Sequence, residues 1–166
     1  HDPCFLRVPR AGIVHRLDKD TSGLMVVAKS REVMDTLVKA IAAREVSRQY
    51  LALAHGAWVG ATHRTVDAAI GRHPVDRKRM AVRESSGRRA FTEYWVESRF
   101  GPSLAPLATL MGAKLGTGRT HQVRVHFAHL GCPVVGDPIY GRQTRNAAIP
   151  EPLLSFPRQA LHASVL

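Results

Sequence analysis

The residues with the most chemical capacity in the first third of the chain form one short run, His15-Arg16-Leu17-Asp18-Lys19-Asp20-Thr21-Ser22. It lies between apolar segments, the setting in which a loop on a rigid scaffold carries reactive groups. Asp18 and Asp20, two residues apart, invite comparison with the Asp-x-Asp phosphotransferase loop, in which the first Asp is phosphorylated and the second acts as acid. That loop needs an apolar strand directly before it and a helix directly after. Here His15 and Arg16 interrupt the upstream side and a strand-like run follows. A capped turn, with Asp and Thr bonding the backbone, is the plainer alternative. Other nucleophile schemes are missing: there is no Gly-x-Ser-x-Gly elbow and no phosphate-binding loop, and Gly116 and Gly118 lack the third glycine of a dinucleotide fingerprint.

A second cluster runs from Thr117 to His126. Thr120 can cap a short helix whose Val123, Phe127 and Leu130 point inward, with Gly131 closing it. Arg124, next to Val123, then flanks the buried face and can reach a partly buried carboxylate; an ordinary structural ion pair is the plainer reading. His121, His126 and His129 lie close in sequence, but positions 121 and 126 are about 500° apart around a helix, so no metal site is expected.

These clusters need elements to hold them. Residues 1–12, with two prolines, read as a lead-in loop. Ser22–Lys29 (SGLMVVAK) is an apolar run of strand length, expected to be largely buried. Ser30 can cap a helix with Val33, Met34, Leu37, Val38 and Ile41 on one face. Val46–His55 reads as a strand containing Tyr50. β-Branched residues in 57–70 suggest a further hairpin. Gly71–Arg89 is basic and irregular, a solvated loop or hairpin, and Ala90–Val96 is another strand. Gly101–Gly116 carries no clear pattern, and Gly131–Tyr140 is rich in turn residues. Strands with a few interposed helices imply an α+β domain with a mixed, largely antiparallel sheet.

Length and composition set the frame. A chain of 166 residues suits one domain, here 1–166, able to bury about two thirds of its unfolded surface. With 24 Lys and Arg against 13 Asp and Glu, the formal charge is +11, which in so small a domain points to a polyanionic partner, nucleic acid first. No amphipathic helix of membrane-binding character and no apolar run of spanning length is present, so no membrane partner is expected. Cys4 and Cys132 are too few for a disulfide framework, which fits a cytoplasmic setting.

Both clusters match a known family. His15–Ser30 (HRLDKDTSGLMVVAKS) resembles the active-site motif of RNA pseudouridine synthases of the RluA type, and Thr117–Gly141 (TGRTHQVRVHFAHLGCPVVGDPIYG) resembles that family's later motif. Arg48-Gln49-Tyr50 stands where the family has its active-site Tyr, 32 residues beyond Asp18. Ile70–Pro74 and Arg79–Val82 look most like the D-type enzymes acting on large-subunit ribosomal RNA.

The resemblance implies an isomerase that acts as a monomer on structured RNA, without metal or organic cofactor. Asp18 is implied as the nucleophile toward ribose C1′ or the group that otherwise enables glycosidic cleavage. Tyr50 stacks on the target uracil, Arg124 forms the ion pair that orients Asp18, Arg16 fills the gap left by the flipped nucleotide, and Leu161 belongs to the pocket wall. Arg72, Arg77, Lys78 and Arg79, with Arg119 and His121, are expected on the RNA. The chemistry is consistent: the isomerisation gains and loses no electrons, so a carboxylate kept ionised by a neighbouring cation suffices. A base must also leave its stack to be reached, at a cost offset by stacking on an aromatic ring. The family's strand with Asn-Lys-Pro before the Asp motif, its strands after Leu161-His162-Ala163 and its small N-terminal RNA-binding domain have no counterpart in 1–166. The expectation is a catalytic core truncated at both ends, with a non-catalytic RNA-binding fragment as the rival.

Overall fold

The computed structural model describes residues 8–56, 58, 61–141 and 150–166. Its strands are β1 (Ser22–Gly23), β2 (Gln49–His55), β3 (His63–Asp67), β4 (Ile70–Arg72), β5 (Met80–Val82), β6 (Phe91–Phe100), β7 (Ala108–Leu115) and β8 (Leu161–Val165). Helices are α1 (Arg31–Ala42), α2 (Gln122–His129) and the single turn α3 (Glu151–Leu154). Six strands form one sheet in the order β1-β8-β2-β7-β6-β3, and β4 pairs with β5 separately. Only β1 and β8 run parallel; the other pairings are antiparallel. The result is the α+β architecture with a largely antiparallel sheet that the sequence implies.

The core follows from strand periodicity. Tyr50, Ala52 and Ala54 alternate along β2 and so share one face of the sheet. On that face Ala52 is flanked by Leu161 and Met111, and Tyr50 by Ala163 and Ala113. The small side chains leave room for α2, whose Val123 and Phe127 pack into the same cluster with Tyr94, Trp58 and Val134. At Tyr50 the β2–β8 register slips, a bulge that re-aims the start of β2 where the chain enters the candidate site. α1 begins as expected: the Ser30 side chain accepts from the Val33 amide, and Met34 is its buried residue.

Several expectations are corrected. Ser22–Lys29 is not a buried strand: β1 spans two residues, and Leu24, Met25 and Val27 are exposed. Gly23, at φ +114°, lies so close to Ala163 that a Cβ would meet its carbonyl oxygen at 2.2 Å, and the extended course is interrupted there. The run lies at the sheet's edge, and of its residues only Ala28 is buried, which an apolar pattern of this length cannot reveal. The hairpin expected in 57–70 is absent among its described residues; β3 pairs instead with β6, supplied by residues 91–95. The basic 71–89 segment does form a hairpin, β4–β5. The unassigned 101–116 stretch contains β7, in the middle of the sheet. Thr120 does not cap α2: His121 occupies that position, at φ +57° and without a side-chain cap. The lead-in loop lies outside the described residues up to position 7; Pro9–Gly12 is a 3-10 turn.

Candidate active site

A cavity of about 270 Å³ opens between the 14–21 loop, the start of β2 and the 115–123 segment. Asp18 lies at its wall, and Tyr50, Arg48, His15, Arg119, His121 and Leu161 also line it. The site is therefore assembled from four separated stretches of sequence.

The Asp18 loop is fixed from two sides. The Thr21 amide donates to the Asp18 carbonyl at 3.0 Å, closing a turn, with Asp20 at φ +66°. From the segment before β8, the buried Gln159 amide donates to the Lys19 carbonyl and, at 3.2 Å, to the Thr21 hydroxyl. Arg158 donates to the Asp20 carbonyl at 3.1 Å and to Ser22 Oγ at 3.3 Å. On the other flank, His15 Nε2 accepts from the Val26 amide at 3.0 Å, so the neutral ring carries its proton on Nδ1.

Arg124 is brought to Asp18 as expected, but the contact is only part of its coordination. Its Nε donates to Asp137 Oδ2 at 2.7 Å and its Nη2 to Asp137 Oδ1 at 2.9 Å, a fork-to-fork pair. The remaining nitrogen, Nη1, donates to Asp18 Oδ2 at 3.3 Å. The Arg124 and Asp137 side chains are 3% and 0% exposed, whereas Asp18 is 20% exposed, so the inner pair is structural and the outer carboxylate is the one a ligand can reach. Burial pushes the Asp137 carboxyl up, but Arg124 and the amides of Tyr140 and Ile139 more than offset it and hold it below the usual carboxylate range. Burial likewise lowers Arg124, and the carboxylates of Asp137 and Asp18 reverse that, so it stays a cation.

Burial raises the Tyr50 phenol above its ordinary value; the charge of Arg48 opposes this and that of Asp18 adds to it. Burial also keeps His121 below the ordinary imidazole value, with Asp18 pulling the other way. Its Nδ1 bonds Tyr140 Oη at 2.9 Å, and that hydroxyl accepts from the Met80 amide, so β5 is tied to the site. The Tyr140 ring lies 5.2 Å from Arg124 Cζ and 5.6 Å from Arg79 Cζ.

The remaining sequence candidates divide. Arg16, Arg119, His121 and Leu161 are at the cavity. Arg72, Arg77 and Lys78 are exposed on the β4–β5 hairpin, away from the cavity, while Arg79 is half-buried over Tyr140. Asp137, Tyr140, Gln122 and Gln159 were not singled out by sequence reasoning. Asp137 in Gly-Asp-Pro reads as a turn residue, and it does accept from amides two and three residues on; nothing local announces Arg124. Gln122 accepts from Thr117 Oγ1 and the Arg119 amide and donates to the Phe91 carbonyl and Thr92 Oγ1, fixing the 117–121 turn in place of a Thr120 cap. His126, discounted as a metal ligand, lies buried between Thr92 Oγ1 and the Ala68 carbonyl. Among the described residues no helix is long and apolar enough to cross a membrane.

A family model described as RNA pseudouridylate synthase matches residues 5–129. Ribosomal large subunit pseudouridine synthase D of Xanthomonas campestris is 50% identical over 171 residues, covering 99% of this chain and 49% of that protein. The Escherichia coli protein of the same description is 46% identical, again over 99% of this chain and 49% of its own length. This chain thus spans about half the length of the curated relatives it matches. Among solved structures, human RNA Pseudouridylate Synthase Domain Containing 1 superposes with a TM-score of 0.72 at 32% identity, over 91% of this chain and 61% of the other.

Proposed function

The chain belongs to the RNA pseudouridylate synthase family, and from that premise we propose that it converts uridine to pseudouridine in RNA, with large-subunit ribosomal RNA as substrate. The observation that carries the reading is the contact of Arg124 with a partly exposed Asp18 on a cavity that Tyr50 also lines. In this reading Asp18 attacks ribose C1′ as the C1′–N1 bond breaks, and the electron pair leaves with the uracil. After the base turns, C5 bonds to C1′ and the aspartyl ester releases its carboxylate. The C5 proton is then lost and N1 is protonated, so no redox partner is required. Arg124 positions Asp18, and Tyr50 provides the ring on which an extruded base stacks. Leu161 supplies apolar wall, and Arg16, exposed at the cavity mouth, fills the gap in the RNA. Arg119 and His121 border the same mouth, and Arg72, Arg77 and Lys78 lie exposed on the hairpin, where they meet phosphates with little dependence on sequence. Arg79 supports Tyr140 as much as it faces RNA. A cytoplasmic enzyme is the reading that fits a ribosomal RNA substrate.

Tritium release from a large-subunit ribosomal RNA transcript labelled with 5-³H-uridine tests this. Release by the protein, abolished in Asp18→Ala with RNA binding retained, is the expected result. RNA binding without release from the unsubstituted protein would instead identify a non-catalytic RNA-binding unit.

A further inference from the structure

We propose that Arg48 is a catalytic residue whose guanidinium takes the negative charge that develops on the uracil carbonyl oxygens when the glycosidic bond breaks. The inference rests on the pseudouridine synthase reading above and extends it to a group that reading leaves without a task.

Arg48 precedes β2 by one residue and lines the same cavity as Tyr50 and Asp18. Its Nε is buried with no hydrogen-bond partner, and among the described residues no carboxylate pairs with its guanidinium. A buried donor left open costs stability, on the order of 1–3 kcal/mol, and persists most readily where a ligand will satisfy it. The other cavity cations are differently placed. Arg124 is bound to Asp137 and Asp18, Arg119 donates to the Arg89 carbonyl, and Arg16 is exposed at the mouth. His15 is no substitute: burial and the Arg48 charge hold its imidazole below the ordinary value, and Nε2 is already taken by the Val26 amide.

The chemistry calls for a cation at this place. When C1′–N1 breaks, the electron pair stays on N1 and spreads onto O2 and O4, so a neutral base becomes an anion. Asp18 meanwhile loses its charge in the ester, and Arg124 stays with Asp18 and Asp137. A second, unpaired cation beside the stacking Tyr50 is therefore matched to the product of cleavage and not to the neutral ground state. Differential stabilisation of that kind lowers a barrier. When C5 bonds to C1′ the charge returns to Asp18 and the uracil is released from Arg48, leaving the balance unchanged.

Gly118 gives the guanidinium its seat. A Cβ added there would stand 2.7 Å from Arg48 Nη1, so alanine at 118 must displace the charged group while leaving it in the chain.

The experiment combines single-turnover tritium release from the same 5-³H-uridine transcript with equilibrium RNA binding, for Arg48→Met, Gly118→Ala and the double variant. Arg48→Gln serves where methionine unfolds the protein. Loss of one such charge-stabilising donor is expected to slow saturating release by about 10²–10³-fold, with the RNA dissociation constant changed by less than about threefold. Gly118→Ala should slow release as well, and add little in the Arg48→Met background, because both remove the same contact. Release that is indifferent to Arg48 overturns the inference alone. So does a variant that binds poorly yet reacts at the normal saturating rate, which would make Arg48 a phosphate contact. Penalties that multiply would show that Arg48 does not act from its seat on Gly118. No release from the unsubstituted protein removes the parent reading and this one together.

Discussion

Arg124 presents two nitrogens to Asp137 and one to Asp18, and that division decides how each acidic residue behaves. The inner pair is closed, charge-balanced and anchored by two backbone amides, so it fixes the guanidinium plane. The outer carboxylate keeps Oδ1 free of hydrogen bonds among the described residues, and so available to a ligand. Asp137→Asn should therefore act in two ways at once. It leaves a buried arginine without its neutralising partner, a change that costs about 3–5 kcal/mol of stability, and it unfixes the nitrogen that orients Asp18. Urea unfolding and tritium release measured on the same variant check this. Stability within about 1 kcal/mol of the parent would mean that the inner pair is not what holds Arg124 in place. Arg124 was legible in the sequence as a cation beside a buried face. Its principal partner was not, because an Asp in a Gly-Asp-Pro turn looks the same whether or not an arginine reaches it across 13 residues of chain.

Elements were legible where the signal is local. α1 carries its own cap in Ser30, and the closing turn after α2 has Gly131 in the left-handed region, at φ +78°. β6 shows β-branched and aromatic residues, and β2 carries Tyr50 and ends against Gly56. What failed depended on distant partners. β7 was unreadable because its Ala, Gly and Met content suits a central strand flanked on both sides yet scores poorly as strand by propensity. Ser22–Lys29 was misread because an apolar run does not itself report whether the fold covers it, and here Ala28 alone of the run is buried. A long-range device of this kind is Gln159, whose side-chain amide grips the Asp18 loop from the segment leading into β8. Gln159→Leu, similar in bulk but unable to donate, is expected to lower the single-turnover rate while leaving RNA affinity near that of the parent. Gln159→Glu offers no amide donor either and should not restore the rate, whereas an aliphatic variant at full rate would reduce Gln159 to packing.

At the scale of the whole molecule, titration sets the range in which the fold holds. Burial keeps His15, His55, His121 and His126 below the ordinary imidazole value, so between that value and the lower folded one the unfolded chain binds more protons than the fold. Stability must then fall as pH drops below about 6.5, and Asp137, held low by its partners, adds a further loss at more acid pH as it is protonated. The expected thermal midpoint declines from pH 7.5 toward pH 5, and His126→Gln, which can still bond Thr92 and Ala68, flattens part of that decline. A midpoint indifferent to pH over this range would contradict it. The +11 charge was readable from composition alone, but not where it sits: part on an exposed hairpin, part around a cavity, and one cation inside it. The pairing of β1 with β8 joins segments about 140 positions apart, and it also sets a clock. The Asp18 loop is held by a residue 140 positions later, so during synthesis at about 5–20 residues per second the loop waits on the order of ten seconds for the segment that fixes it. Until then the Asp18 loop lacks that tie, so the reactive carboxylate takes its final position well after it has been made.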